Sequence, residues 1–148
     1  MNRYAPLLLL LAACCSSTAV VAQDAPLTTD QVAVIRQLAE QGNAGAQYNL
    51  GVMYANGEGV AENDAEAVKW YRLAADQGDA EAQINLGYMY AKGEGVPESQ
   101  VDAYFWWNLA AAQGIAGAKT NKAIIEKQMT REQIAEAQRR SAAWKPKK

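Results

Sequence analysis

Gln47-Tyr48-Asn49-Leu50-Gly51-Val52-Met53-Tyr54-Ala55-Asn56-Gly57-Glu58-Gly59-Val60 returns 36 residues later as Gln83-Ile84-Asn85-Leu86-Gly87-Tyr88-Met89-Tyr90-Ala91-Lys92-Gly93-Glu94-Gly95-Val96. The duplication continues past these segments. Trp70 returns as Trp106, Leu73-Ala74-Ala75 as Leu109-Ala110-Ala111, and Gln77-Gly78 as Gln113-Gly114. Residues 47–82 and 83–118 agree at 21 of 36 positions, in blocks not confined to one helix face. A fixed period of this length marks a solenoid, in which each unit buries its apolar face on its neighbour.

One unit can be read from its own periodicity. Ala46, Leu50, Met53 and Tyr54 form one apolar stripe of a first helix that starts near Ala44. Gly57-Glu58-Gly59 supplies the positive backbone angles of a sharp reversal. A second helix opens after Asn63, carries Ala67, Trp70, Tyr71, Ala74 and Ala75 on its inner side, and ends at Gly78. In the second copy Pro97 breaks the chain, and Ser99 caps with Asp102 three residues on. Each unit is therefore an antiparallel helix pair. Gly51, Gly87 and the repeated alanines are expected to let helix backbones approach closely, with Trp70, Tyr54, Trp106 and Tyr90 filling the space between pairs. Gly57, Gly59, Gly78, Gly93, Gly95 and Gly114 are the turn positions of the repeat.

The pattern Ala-Gln-x-x-Leu-Gly-x-Met-Tyr-x-x-Gly-x-Gly-Val, followed by Ala-x-x-Trp and Ala-Ala-x-Gln-Gly-x-Ala-x-Ala, resembles the Sel1-like repeat, a relative of the tetratricopeptide repeat. The resemblance covers two full units with partial units on both sides. It implies an all-α, right-handed α-solenoid of antiparallel helix pairs that acts as a scaffold or adaptor for proteins, often in signalling or in the bacterial envelope. In the tetratricopeptide relatives the concave face is lined by the first helix of each pair. Carried over by position, that face holds Tyr48, Val52 and Asn56, then Ile84, Tyr88 and Lys92, then Thr120, Ile124 and Lys127. Most of these are positions where the copies disagree, as expected of positions freed from packing. Packing of Tyr48, Ile84 and Tyr88 on neighbouring helices is the alternative.

The flanks complete the array. Residues 1–22 combine one cation, a short apolar core and small residues at Val20 and Ala22, the form of a secretory signal cut after Ala22. A rival reading is open: Leu11-Ala12-Ala13-Cys14 resembles a bacterial lipobox, in which Cys14 would be lipidated and anchor the chain to the membrane. Cutting after Ala22 leaves 126 residues with no cysteine, since Cys14 and Cys15 are the only two. Residues 23–27 read as a disordered lead.

Thr28 opens a helix, Gln31 reaching back and Leu27 stapled to Val32; it runs to Gln41, aligns with the second half of a repeat, and is an N-terminal capping helix over 28–41. Val34 and Ile35 stand where Trp70 and Tyr71 would be, smaller groups suited to an end. A third first helix follows Gly114, with Ala116, Ala118, Asn121, Ala123 and Ile125 on its face. There Lys122 and Glu126 replace Leu and Tyr. Thr130, Gln133, Met129 and Ile134 repeat the opening cap, and a last helix to about Ala143 packs inward through Ile134, Ala137 and Trp144. The C-terminal capping region spans 119–144, and 145–148 is a solvated basic tail.

Charge and chemistry narrow the function. Residues 23–138 carry 8 basic and 16 acidic side chains, whereas 139–148 carries five cations and no anion. An acidic body of this kind does not bind nucleic acid by an electrostatic footprint. With no histidine, and no cysteine past position 15, the common metal sites and every Ser-His or Cys-His arrangement are excluded. No cofactor and no metal are expected. Glu58 and Glu94 recur in exposed turns about 10 Å apart, a poor setting for acid/base work. The expected function is a non-catalytic interaction scaffold, periplasmic, binding a partner protein or peptide. The alternatives are a cell-wall or β-lactam-related envelope enzyme and a membrane-anchored lipoprotein assembly factor. The cysteine-rich Sel1-like proteins linked to β-lactam chemistry carry a disulfide within each helix pair, and the cysteines for it are absent here. Tyr104, Phe105, Trp106 and Trp107 cannot all face one side of a helix, so exposure of one or two, or burial under the third unit, is expected.

Overall fold

The computed structural model describes residues 27–147. Residues 1–22, expected from sequence to be a secretory signal, with Cys14, residues 23–26 of the expected lead, and Lys148 lie outside the described residues. Seven helices and no strand occur among those described. They are α1 (Thr29–Glu40), α2 (Ala44–Asn56), α3 (Asp64–Asp76), α4 (Ala80–Lys92), α5 (Gln100–Ala112), α6 (Ala116–Glu126) and α7 (Arg131–Ala143).

Local chemistry sets each boundary. Asn43 and Asp79 cap α2 and α4, their side-chain oxygens accepting from the N–H of Ala46 and Ala82 at 2.8 Å. Gly57 and Gly93 end the same helices at φ 70° and 69°, a left-handed conformation that glycine adopts without strain. The second glycine of each turn has a different task. A Cβ on Gly95 would stand 2.3 Å from the Asp64 carbonyl oxygen, and one on Gly59 2.8 Å from Val32 Cγ2. Each turn is thus pressed against the second helix of the unit before it. Thr28 and Thr130 both form capping boxes, with Gln31 and Gln133 reaching back.

The pairs α2/α3 and α4/α5 pack as antiparallel hairpins, and α1, α3 and α5 each also contact the following first helix. Leu50 and Leu86 are fully buried at equivalent places. Gly51 and Gly87 differ from expectation in what they admit. They seat aromatic rings rather than neighbouring backbones: a Cβ would lie 2.6 Å from Tyr71 Cδ1 and 2.6 Å from Trp107 Nε1. Trp107 then donates its indole N–H to the Ile84 carbonyl at 3.1 Å. Trp70 is buried between α1 and α2, its indole nitrogen without a partner.

Glutamines stitch the units together. Gln77 Nε2 donates to Gly42 O and Gln47 Oε1, while Gln47 Nε2 donates to Ala39 O. One repeat later Gln113 donates to Gly78 O and Gln83 Oε1, and Gln83 to Ala75 O. Gln83 is completely buried, so its carboxamide must be paired. The arginine pair is repeated too: Arg36 donates to the Tyr54 hydroxyl and Arg72 to the Tyr90 hydroxyl.

The C-terminal third departs from strict repetition. α7 packs on α5 instead of pairing with α6. Helix α5 is consequently enclosed, and all four residues Tyr104 to Trp107 are buried. On α6 only Ala118 and Ile125 are buried, so Ala116 and Ala123, expected on the inner face, are exposed. Lys122 stays half-buried because its ammonium donates to Asn108 Oδ1 at 3.0 Å and Asn108 donates to Ser141 Oγ at 2.7 Å. The basic tail is exposed, yet it is not free in solvent as expected of a charge run. Lys147 donates its backbone N–H to Asp76 O and its ammonium to the Asp76 carboxylate at 2.6 Å, pinning the end of the chain across the C-terminus of α3.

Candidate functional site

The first helices α2, α4 and α6 leave two clefts between successive units. Their positions follow from the repeat. Helices α2 and α4 bury Leu50 and Leu86 against the core, so the residues two further on, Val52 and Tyr88, emerge on the other side.

The first cleft, of about 370 Å³, is lined by Tyr48, Val52, Asn56, Tyr71, Asn85 and Tyr88, with Asp64 and Glu94 at one end. Four of the nine residues expected on the concave face, Tyr48, Val52, Asn56 and Tyr88, therefore meet here. Tyr48 and Tyr71 are tilted rings 6.1 Å apart. Burial pushes the Tyr71 hydroxyl up to about 12, partly offset by the Asn85 amide. The Tyr48 hydroxyl is also raised, by burial first and then by the carboxylates of Glu81 and Asp79. Both phenols are thus neutral hydrogen-bonding groups over the physiological range. Tyr88 is 47% exposed, and the Lys92 ammonium stands 5.7 Å from the centre of its ring. Asn56 donates to Glu58 at 2.9 Å and holds that turn carboxylate in place.

The second cleft, of about 310 Å³, lies between α4 and α6 and holds Lys92, Trp107, Asn121, Ile124, Ile125 and Gln128. Lys92 and Ile124 meet there, and Ile124 is 53% exposed. Ile84 lines neither cleft; it is half-buried against the core. Thr120 on α6 and Lys127 at its C-cap are exposed outside the clefts.

Tyr71, Asn85, Asp64, Glu94, Trp107 and Asn121 were not legible as site residues in sequence. A signal existed for two of them. Asparagine recurs at 49, 85 and 121 in all three first helices, and Asn85 and Asn121 each line the cleft shared with the preceding unit. Tyr71 and Trp107 read as core and are core, yet one edge of each reaches a cleft. No cluster of three metal-ligating side chains occurs among the described residues, and no helix described is long and apolar enough to cross a membrane.

Comparison with known proteins agrees with this architecture. The Sel1 repeat matches residues 44–79 and 80–115, the same period as the sequence duplication with its phase moved by three residues. A solved structure of a protective antigen of uropathogenic Escherichia coli with an SLR fold superposes on 76% of this chain with a TM-score of 0.73 and 34% identity. A Sel1 repeat protein from Oxalobacter formigenes superposes on 65% of it with a TM-score of 0.63 and 38% identity. An exopolysaccharide production negative regulator of Rhizobium meliloti (strain 1021) is 50% identical over 42 residues, 28% of this chain. The matched part is only 24%, 40% and 16% of the length of these three proteins. Duplicated sequence, stacked helix pairs and these likenesses lead to one conclusion: residues 44–115 are two Sel1 repeats, and the fold is an all-α repeat solenoid.

Proposed function

We propose that this protein is a non-catalytic interaction scaffold of the bacterial envelope that holds a partner segment along the two clefts of its concave face. One observation carries the proposal. On the first helices the buried positions are the same in the two units, Ala46, Gln47, Leu50, Gly51 and Met53 returning as Ala82, Gln83, Leu86, Gly87 and Met89, whereas Tyr48 and Ile84, Val52 and Tyr88, and Asn56 and Lys92 differ between copies, and five of those six line the clefts. Exposed Tyr88 and Ile124 offer apolar anchors in an otherwise wet groove.

Charge indicates how a partner lies. Asp64 and Glu94 favour a cationic group in the first cleft, and Lys92 favours an acidic or polar one in the second. Sel1 repeats are generally protein-interaction modules, and the regulator of exopolysaccharide production is a relative in keeping with an adaptor. Placement in the envelope rests on the signal-like residues 1–22.

Crosslinked affinity capture from an envelope extract tests this, run beside a Tyr88→Ala, Ile124→Ser double variant of unchanged helicity. Capture of one protein by the wild type and its loss in the variant is expected. Equal capture by both would put the binding site on another face.

A further inference from the structure

Helix α1 aligns with the second helices of the repeat, and no first helix precedes it among the described residues. Its residues align with those of α3 and α5: Val34 with Trp70 and Trp106, Ile35 with Tyr71 and Trp107, Leu38 with Ala74 and Ala110. In the two full units all six counterparts are buried, from 0% to 8% exposed. In α1 the apolar character is kept while Val34 is 55% and Leu38 42% exposed. A solenoid terminus that faces water normally presents polar residues there. At the opposite end the exposed surface is mixed, with Lys119 and Thr120 on α6 and Lys127 at its C-cap beside Ala116, Ala123 and Ile124.

The exposed face has the spacing of a helix-pairing seam. Gln31, Val34, Leu38 and Gln41 follow one another at intervals of three, four and three, all exposed and all uncharged. That is the a/d rhythm of a short coiled-coil contact, with two apolar residues at its centre and an amide at each end. Beside it Leu27, Asp30, Gln31, Val34 and Ile35 enclose a groove of about 380 Å³. Arg36 does not intrude, because its guanidinium is turned to the Tyr54 hydroxyl on α2.

We infer that α1 is a self-association surface through which two copies of this chain pair, α1 antiparallel to α1. An antiparallel crossing centred at position 36 sets Val34 of one copy against Leu38 of the other and Gln31 against Gln41. It brings no like charges together on that line. The seam is self-complementary, as a closed two-fold contact requires. A contact of one helix per copy is small, so the dimer is weak and concentration-dependent. It leaves both concave faces free.

Sedimentation equilibrium of the purified protein over a wide concentration range tests the inference. The wild type is expected to pass from monomer to dimer. The Val34→Lys, Leu38→Lys double variant, which changes only exposed side chains, should raise the dissociation constant by about a hundredfold or more with unchanged circular dichroism. Leu73→Lys, at an apolar residue 42% exposed on α3, should leave it unchanged. The inference fails if the wild type is monomeric throughout, if the double variant associates like the wild type, or if Leu73→Lys disrupts association equally.

Discussion

At the scale of single residues, the repeat depends on positions where no larger group fits. Gly87 lies under the Trp107 ring, and a methyl there would enter at 2.6 Å from Nε1, inside any real contact distance. Gly87→Ala should therefore cost about 1–3 kcal/mol by overpacking, although alanine is the better helix former; denaturant unfolding measures it. Tyr71 gives a pH signature. Its hydroxyl ionises near 10 when unfolded and near 12 when folded. The folded state then holds the proton more tightly, so the stabilisation is complete below pH 10 and declines as pH rises from 10 towards 12. Tyr71→Phe should remove that part of the alkaline slope, seen as a smaller loss of stability than wild type across the same window. A Phe variant with the wild-type slope would assign the alkaline loss to other groups.

Among the elements, α7 converts α5 from a second helix into the centre of the molecule. It contributes Ala137, fully buried, and Ser141, nearly so. Gln138 donates to the Tyr104 hydroxyl, and Arg140 bonds Asp102 at 2.7 Å while lying over the Phe105 ring. Ala137→Glu should undock this helix by forcing an unpaired carboxylate into the contact, a loss of several kcal/mol, with fast hydrogen exchange in α7 and a newly exposed aromatic face on α5. Arg140→Met should cost at most about 1 kcal/mol, because the ion pair is partly solvated. Equal effects of the two would mean that charge, rather than packing, holds α7. The lysine at 119 marks the end of the glutamine ladder: it occupies the place of Gln47 and Gln83, and it is exposed where they are buried.

In the whole molecule the core is divided. One cluster runs from α3 through α7, and a smaller one joins α1, α2 and Trp70. Units that touch only their neighbours unfold with local free energies, so the smaller cluster should open first. Leu86→Ala, at a fully buried site of the larger cluster, should cost about 2–5 kcal/mol. Val32→Ala should cost less and speed hydrogen exchange in α1 and α2 while leaving α4 and α5 protected. Uniform exchange across all helices would show a single cooperative unit instead.

Much of this architecture is written in the sequence because its determinants are local or repeated. Period, helix pairs, the caps at Thr28, Ser99 and Thr130, and the left-handed glycines depend on residues within a few positions of each other, and the duplication shows each of them twice. The concave positions came from the resemblance to tetratricopeptide repeats, carried over by position, and the structure groups Tyr48, Val52, Asn56 and Tyr88 in one cleft and Lys92 and Ile124 in the next. What sequence alone left open is whatever depends on contacts across units. It could not show that Tyr71 and Trp107 lie on glycines, that Gln47 and Gln83 are paired inside the core, or that α7 turns back onto α5 and the tail reaches Asp76. Residues 77 and 47, or 147 and 76, become neighbours only when helix pairs stack. Side-chain periodicity fixes which face of a helix is buried, but only packing in three dimensions decides which helix covers it.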